Sequence, residues 1–304
     1  AVAVRLADVA GGGRPELLEL ILAVVAVCAC EVVGRREIEV AEVQRPGSCI
    51  ASLVAVLRRE PVTSLVHMLC LAALQRLSLR AHLQAKMIEL GAIDWILGNL
   101  RTVGQQLAEA QELSGSWQET LLGAEPLAVP GVPGSTPDFS VEFASALLMN
   151  LTLCASGRRR CAELGAYEVL AALIEHPNQQ VRTHINGTLY ALLGSPAIRA
   201  NARERNAEAL FKAAIERCAF GGDLLRRQLE YLLAQLGRSM SDGDDDEPGD
   251  SDAAVAPASS AAVSDIDDGD NFLDEEELVG HFLLAPAAGA AAGGATTSVI
   301  EASA

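Results

Sequence analysis

The chain has 304 residues, half of them apolar but only 4% aromatic, with 40 acidic and 23 basic side chains and a formal charge of −17. Burial therefore rests on Leu, Ala and Val, which favours helix packed on helix over a β-sandwich. No Lys or Arg follows Arg238, and residues 239–304 hold 16 of the acids; the remainder, 24 acids against 23 bases, lacks the concentrated basic surface that nucleic-acid binding requires.

The first element is the apolar stretch "ELLELILAVVAVCACEVV", which starts at Glu16. Glu16, Glu19 and Glu31 leave about 11 uncharged residues, too few to span a bilayer, so a buried helix and no membrane insertion are expected. The sequence opens on Ala rather than Met, from which we expect a piece of a longer polypeptide. Ala26, Cys30 and Val33 stand at i, i+4 and i+7, one stripe of a 3.6-residue helix, and 14 residues later Gly47 opens "GSCIASLVAVL". The arrangement recurs with Cys70, Leu74 and Leu77 leading to Gly91 in "GAIDWILGNL". Next comes a stretch rich in Gly and Pro at about 103–138, read as a mobile insertion. Ala144, Leu148 and Leu151 then lead to Gly165, and Ile185, Leu189 and Leu192 to Asn206; Leu229, Leu233 and Leu236 form a last stripe. Gly or Asn suits the recurring position because a chain turning from one helix into the next there needs a residue that accepts positive φ.

The stripe ends Val33, Leu77, Leu151, Leu192 and Leu236 are spaced 44, 74, 41 and 44 residues apart. Three intervals fall in the range of about 40–47 for repeats of two or three helices, and the insertion explains the fourth. One such unit cannot hide its own apolar flank, whereas stacked units can, which predicts an all-α solenoid over residues 14–238. Residues 239–304, rich in Ala, Gly, Ser and Asp, are expected to form a disordered acidic tail; within it "NFLDEEELVGHFLL" is able to fold as a short helix on a partner.

"ELGAYEVLAALIEHPNQQVRTHINGTLYALL", residues 163–193, resembles an armadillo repeat. With "ALQRLSLRAHLQAKMIELGAIDWIL", "DFSVEFASALLMNLTLCASGRRRCAE" and the acidic tail, residues 62–238 are similar to a family of LisH-bearing armadillo-repeat proteins of the basal body and cilium. The resemblance implies an armadillo-type α-solenoid acting as a protein-binding scaffold in the cytoplasm and cytoskeleton, with basal-body or ciliary proteins as partners. Residues 1–61 match the pattern poorly and show no LisH segment, so dimerisation through one is not carried over. Nothing in the sequence fixes an oligomeric state.

Asn150 interrupts the apolar run "FASALLMNLTLC", about 100° round the helix from Leu151. That position points toward the inner face of a solenoid, where armadillo proteins that grip peptides resemble one another in carrying a ladder of asparagines. Here the column reads Val32, Arg76, Asn150, Ala191, Gln235, which is no ladder, so a structural amide bonded between repeats is the competing reading. Arg76, Phe143, Asn150, His184 and Asn186 are the candidate partner-binding residues, against ordinary inter-repeat packing. "GRRRC" places Arg158, Arg159 and Arg160 in an expected surface turn, with attraction to an acidic partner or to the tail as its functional reading.

The seven cysteines are odd in number, irregularly spaced and mostly in apolar runs, and read as reduced, buried small hydrophobes. The five histidines share no spacing with acids or thiols that makes a triad or zinc site, and no phosphate-binding glycine loop is present; no catalytic residue, metal or cofactor is expected. The acidic run from Asp265 misses the glycine that a calcium loop needs at its sixth position.

Overall fold

The computed structural model describes residues 15–46, 49–114, 138–218 and 223–238, which form thirteen helices and no strand. In chain order these are α1 (Pro15–Cys30), α2 (Val32–Gln44), α3 (Ile50–Arg59), α4 (Leu65–Leu77), α5 (Ala81–Glu89), α6 (Ala92–Ser114), α7 (Asp138–Leu151), α8 (Ala155–Glu163), α9 (Ala166–Ala171), α10 (Gln179–Leu192), α11 (Pro196–Glu204), α12 (Ala207–Arg217) and α13 (Asp223–Gly237). No single helix among the described residues is long and apolar enough to cross a membrane.

The helices fall into triplets. The third members, α1, α4, α7, α10 and α13, stack side by side in that order and form one continuous layer. Leu74, Leu77, Leu148, Leu151, Leu189, Leu192 and Leu229 of this layer are fully or almost fully enclosed. Truncating one such leucine to alanine costs about 2–5 kcal/mol, so this stripe is the main source of cohesion between repeats. The all-α solenoid expected from the stripe spacing is the observed architecture, in the armadillo-type form that the resemblance implied.

The turn chemistry is as anticipated where it is described. Gly91, Gly165 and Asn206 have φ of 73°, 64° and 60°, each just before the second helix of its triplet. Gly47 lies outside the described residues. Ser64 and Asn178 cap α4 and α10 at their N-termini, Ser64 Oγ accepting from the His67 amide and Asn178 Oδ1 from those of Gln180 and Val181.

Three expectations need correction. First, α6 continues through Gly104 to Ser114, so the insertion begins later than 103. Val103 is buried and Leu107 packs against the core, and these contacts outweigh the helix-weakening effect of Gly104. Residues 115–137 and the acidic tail lie outside the described residues.

Second, "GRRRC" is helical, within α8. Arg158 Nη1 donates to the carbonyls of Thr152 and Leu153 at 3.2 and 2.7 Å, and Arg160 bonds Asp94 of α6. Only Arg159 of the three is exposed.

Third, the first stripe ends five residues earlier than its spacing predicts, at Cys28 rather than Val33. The Arg158 contact recurs: Arg35 Nη1 reaches the carbonyls of Ala29 and Cys30, and Arg199 Nη1 those of Leu193 and Gly194. At the equivalent place in the second triplet, Gln84 Nε2 donates to the Ser78 carbonyl at 2.7 Å. Each clamp stands seven residues after the end of its stripe, which aligns Cys28, not Val33, with Leu77, Leu151 and Leu192. Val33, at 71%, and Cys28 are both exposed, so the clamp rather than burial sets this register. Because α1 is apolar almost all round, periodicity alone allowed either register.

Candidate functional site

The candidate residues sit on the third-helix layer, and the structure separates them by depth. Asn150, on α7, is fully buried. Its Nδ2 donates to Ser78 Oγ at 2.9 Å and to the Gln75 carbonyl at 3.4 Å, both on or at the end of α4. Asn186, on α10, is equally buried; its Nδ2 donates to Gln228 Oε1 of α13 at 3.1 Å, and Gln228 Nε2 donates back to Thr183 Oγ1 at 3.1 Å. His184 is nearly enclosed, its Nδ1 3.2 Å from Ser145 Oγ of α7. Each residue therefore joins its helix to a neighbouring third helix, and Asn150 and Asn186 present no surface to a partner. Of the two readings of Asn150, the structure shows the amide bonded between repeats, because the preceding helix of the stack, α4, covers that flank.

Arg76 and Phe143 differ from these three. Both are partly exposed on the same layer, and Phe143 also packs against the core. The sequence reading missed Leu65 on α4 and Tyr190 on α10, the only large apolar side chains beyond α2 that stand exposed among the described residues. Tyr190 lies two positions before Leu192, off the stripe, and that offset was the available signal. It also missed the arginine clamps, whose constant seven-residue offset from the stripe is visible in the sequence.

Electrostatics follow burial. Enclosure lowers the His184 pKa to about 4, and enclosure reinforced by Arg182 does the same for His176. Both imidazoles are neutral near pH 7. Burial pushes the thiols of Cys49 and Cys161 up to about 12 and that of Cys70 upward as well; Cys70 Sγ donates to the Leu53 carbonyl at 3.0 Å. These three have the surroundings of packing thiols, opposite to the electropositive, accessible setting a thiolate nucleophile needs, whereas Cys28 and Cys30 stand exposed on α1, against the expected burial. Among the described residues no three His, Cys, Asp or Glu side chains gather where a metal ion could be held.

Comparison with known proteins agrees with this architecture. Residues 133–237 match the family profile described as LisH domain-containing protein ARMC9, ARM repeats. The chain is 32% identical over 186 residues to LisH domain-containing protein ARMC9 of Danio rerio, covering 60% of this chain and 19% of that protein. With the Homo sapiens protein of the same name it shares 30% identity over 176 residues, 57% of this chain and 18% of that one. The chain thus spans about a fifth of the length of the curated relatives it matches. Among solved structures, a computationally designed armadillo repeat protein for modular peptide recognition superposes with a TM-score of 0.54 at 14% identity, over 77% of this chain and 81% of that one. A designed armadillo repeat protein in complex with the peptide (KR)4 gives 0.52 at 13% identity, with the same coverage. At these identities the structural likeness is one of fold.

Proposed function

From the premise that this is an armadillo-repeat chain similar to ARMC9, we propose that it is a non-enzymatic scaffold at the ciliary basal body, supporting ciliogenesis and ciliary signalling by holding other proteins. Armadillo repeats like those of ARMC9 support a protein-interaction role; the ciliary setting is our extension of it. The observation that carries the reading is the match of residues 133–237 to the ARMC9 repeats, together with a fold whose stacked helices present a long surface. Its partners would be basal-body or ciliary proteins, and its location the cytoplasm and cytoskeleton near the centriole.

Within the candidate site, Arg76 and Phe143 would touch the partner, and Asn150, His184 and Asn186 would hold in register the helices beneath them. A transport or signalling adaptor gripping linear peptides is the alternative. It is disfavoured because Asn150, the one asparagine at the ladder position, is committed to an inter-repeat bond.

Proximity labelling from the chain in ciliated cells tests the proposal. Enrichment of basal-body and centriolar proteins, reduced by Arg76→Glu, supports it. Enrichment of nuclear-import cargo, or labelling with no centriolar component, contradicts it.

A further inference from the structure

Eight of the ten large apolar side chains exposed among the described residues lie on α1 and α2. On α1, Leu17, Leu20, Val24 and Val27 are exposed, with Leu20 at 62% and Val27 at 69%, and their spacing of i, i+3, i+7, i+10 makes one continuous stripe.

The register set by the clamps gives this stripe a meaning. Leu20 corresponds to Leu69, Phe143 and His184 in the later triplets, Val24 to Ala73, Leu147 and Thr188, and Val27 to Arg76, Asn150 and Ala191. In the later triplets the buried members of these columns face the preceding third helix. Asn150 bonds Ser78 behind it, and His184 meets Ser145 behind it. Ala73, Leu147 and Thr188, the counterparts of Val24, are all fully buried. The far face of α13, the last helix among the described residues, differs. Thr183 and Asn186, which reach forward to α13, correspond on α13 to Arg227 and Glu230; both are exposed, and Glu230 pairs with Arg226. A charged outer face is what a capping repeat needs, and α1 has the reverse. Head-to-tail stacking of two copies would press that charged face onto the apolar one and strand its charges.

We infer that the exposed face of α1 is an inter-repeat surface, built to be covered by the third helix of a further armadillo repeat stacked ahead of it. The occupant's contact stripe is apolar and uncharged, and continues the interface that joins α1 to α4 and α4 to α7. This inference stands apart from the ciliary reading.

The test compares the 304-residue chain with one extended by a second copy of residues 15–63 placed directly before Pro15, so that a third helix precedes α1 at the spacing by which α1 precedes α4. Leu20→Cys is introduced into the original α1 of both, with Val43→Cys, exposed and off the stripe, as control. Maleimide labelling is read per residue by peptide mass spectrometry, circular dichroism verifies folding, and Val27→Cys is a second reporter should Leu20→Cys perturb the helix. The expected result is at least ten-fold slower labelling at Leu20→Cys in the extended chain, with Val43→Cys unchanged. Equal labelling in both chains overturns the inference. So does protection already present in the unextended chain with a dimer mass by light scattering, which assigns the face to a second copy. Protection that appears only with phosphatidylcholine vesicles assigns it to a lipid surface and overturns it likewise.

Discussion

Gly157 and Gly98 are the same residue in opposite situations. A Cβ on Gly157 would lie 1.8 Å from the Leu151 carbonyl oxygen, whereas a Cβ on Gly98 of α6 meets nothing within 4 Å. Gly157→Ala should lower stability by about 2–3 kcal/mol as the α7–α8 corner is forced apart. Gly98→Ala should raise it by roughly 0.5–1 kcal/mol, because alanine costs less order in a helix interior. Urea unfolding of the two variants, read as midpoint shifts of opposite sign, checks both. The arginine clamp is the other residue-scale device. Arg158→Met leaves the Thr152 and Leu153 carbonyls without their charged donor, and the loss of such bonds predicts destabilisation by about 2 kcal/mol in the same assay. Sequence reading caught the glycines that needed positive φ, since turn demand is local. It left Asn150 between two readings, because the partner that decides lies 72 residues away, and it misjudged Arg158, whose partners are set by the turn of the chain.

At the level of the element, the third helices were legible and their ends were not. Leu148, Leu151, Leu189 and Leu192 announce a buried face by spacing alone, and the structure buries all four. Helix α1 defeated the same logic, because a helix apolar on two faces offers several stripes of equal merit and only the clamp selects one. Helix α6 outran its expected end because Val103 and Leu107 still find core to touch beyond it. Two buried histidines, His184 in the seam between α7 and α10 and His176 in the turn before α10, also predict a pH response. His176 and His184 stay neutral in the fold down to about pH 4, while the unfolded chain takes up protons on them below about pH 6.5. Over that window the unfolded state binds more protons, so stability falls as pH falls, by on the order of 3 kcal/mol per histidine once pH 4 is reached. Urea midpoints measured from pH 7 to 4.5 should decline, and His184→Gln should make the decline shallower. An unchanged slope in that variant would remove His184 from the account.

Across the whole molecule, a neutral helical body was readable from composition and a forty-odd-residue period. The same period said little about what the surface does. Two of the five candidate site residues are fully buried and a third nearly so, because positions beside an apolar stripe in a stacked repeat face the next repeat as readily as they face solvent. What remains for partners is the outer surface of the third-helix layer, with Arg76, Phe143, Leu65 and Tyr190 along it. That surface exists only if the third helices stack in the register described. Cross-linking of a Ser145→Cys, His184→Cys double variant with a one-carbon bis-methanethiosulfonate, mapped by peptide mass spectrometry, tests this most directly. The account predicts a bridge between these two positions of the folded chain, since Ser145 Oγ and His184 Nδ1 meet at 3.2 Å and the reagent spans the extra length of the lost imidazole. Failure to cross-link while the protein remains helical, or capture of position 184 by a cysteine outside α7, would contradict it.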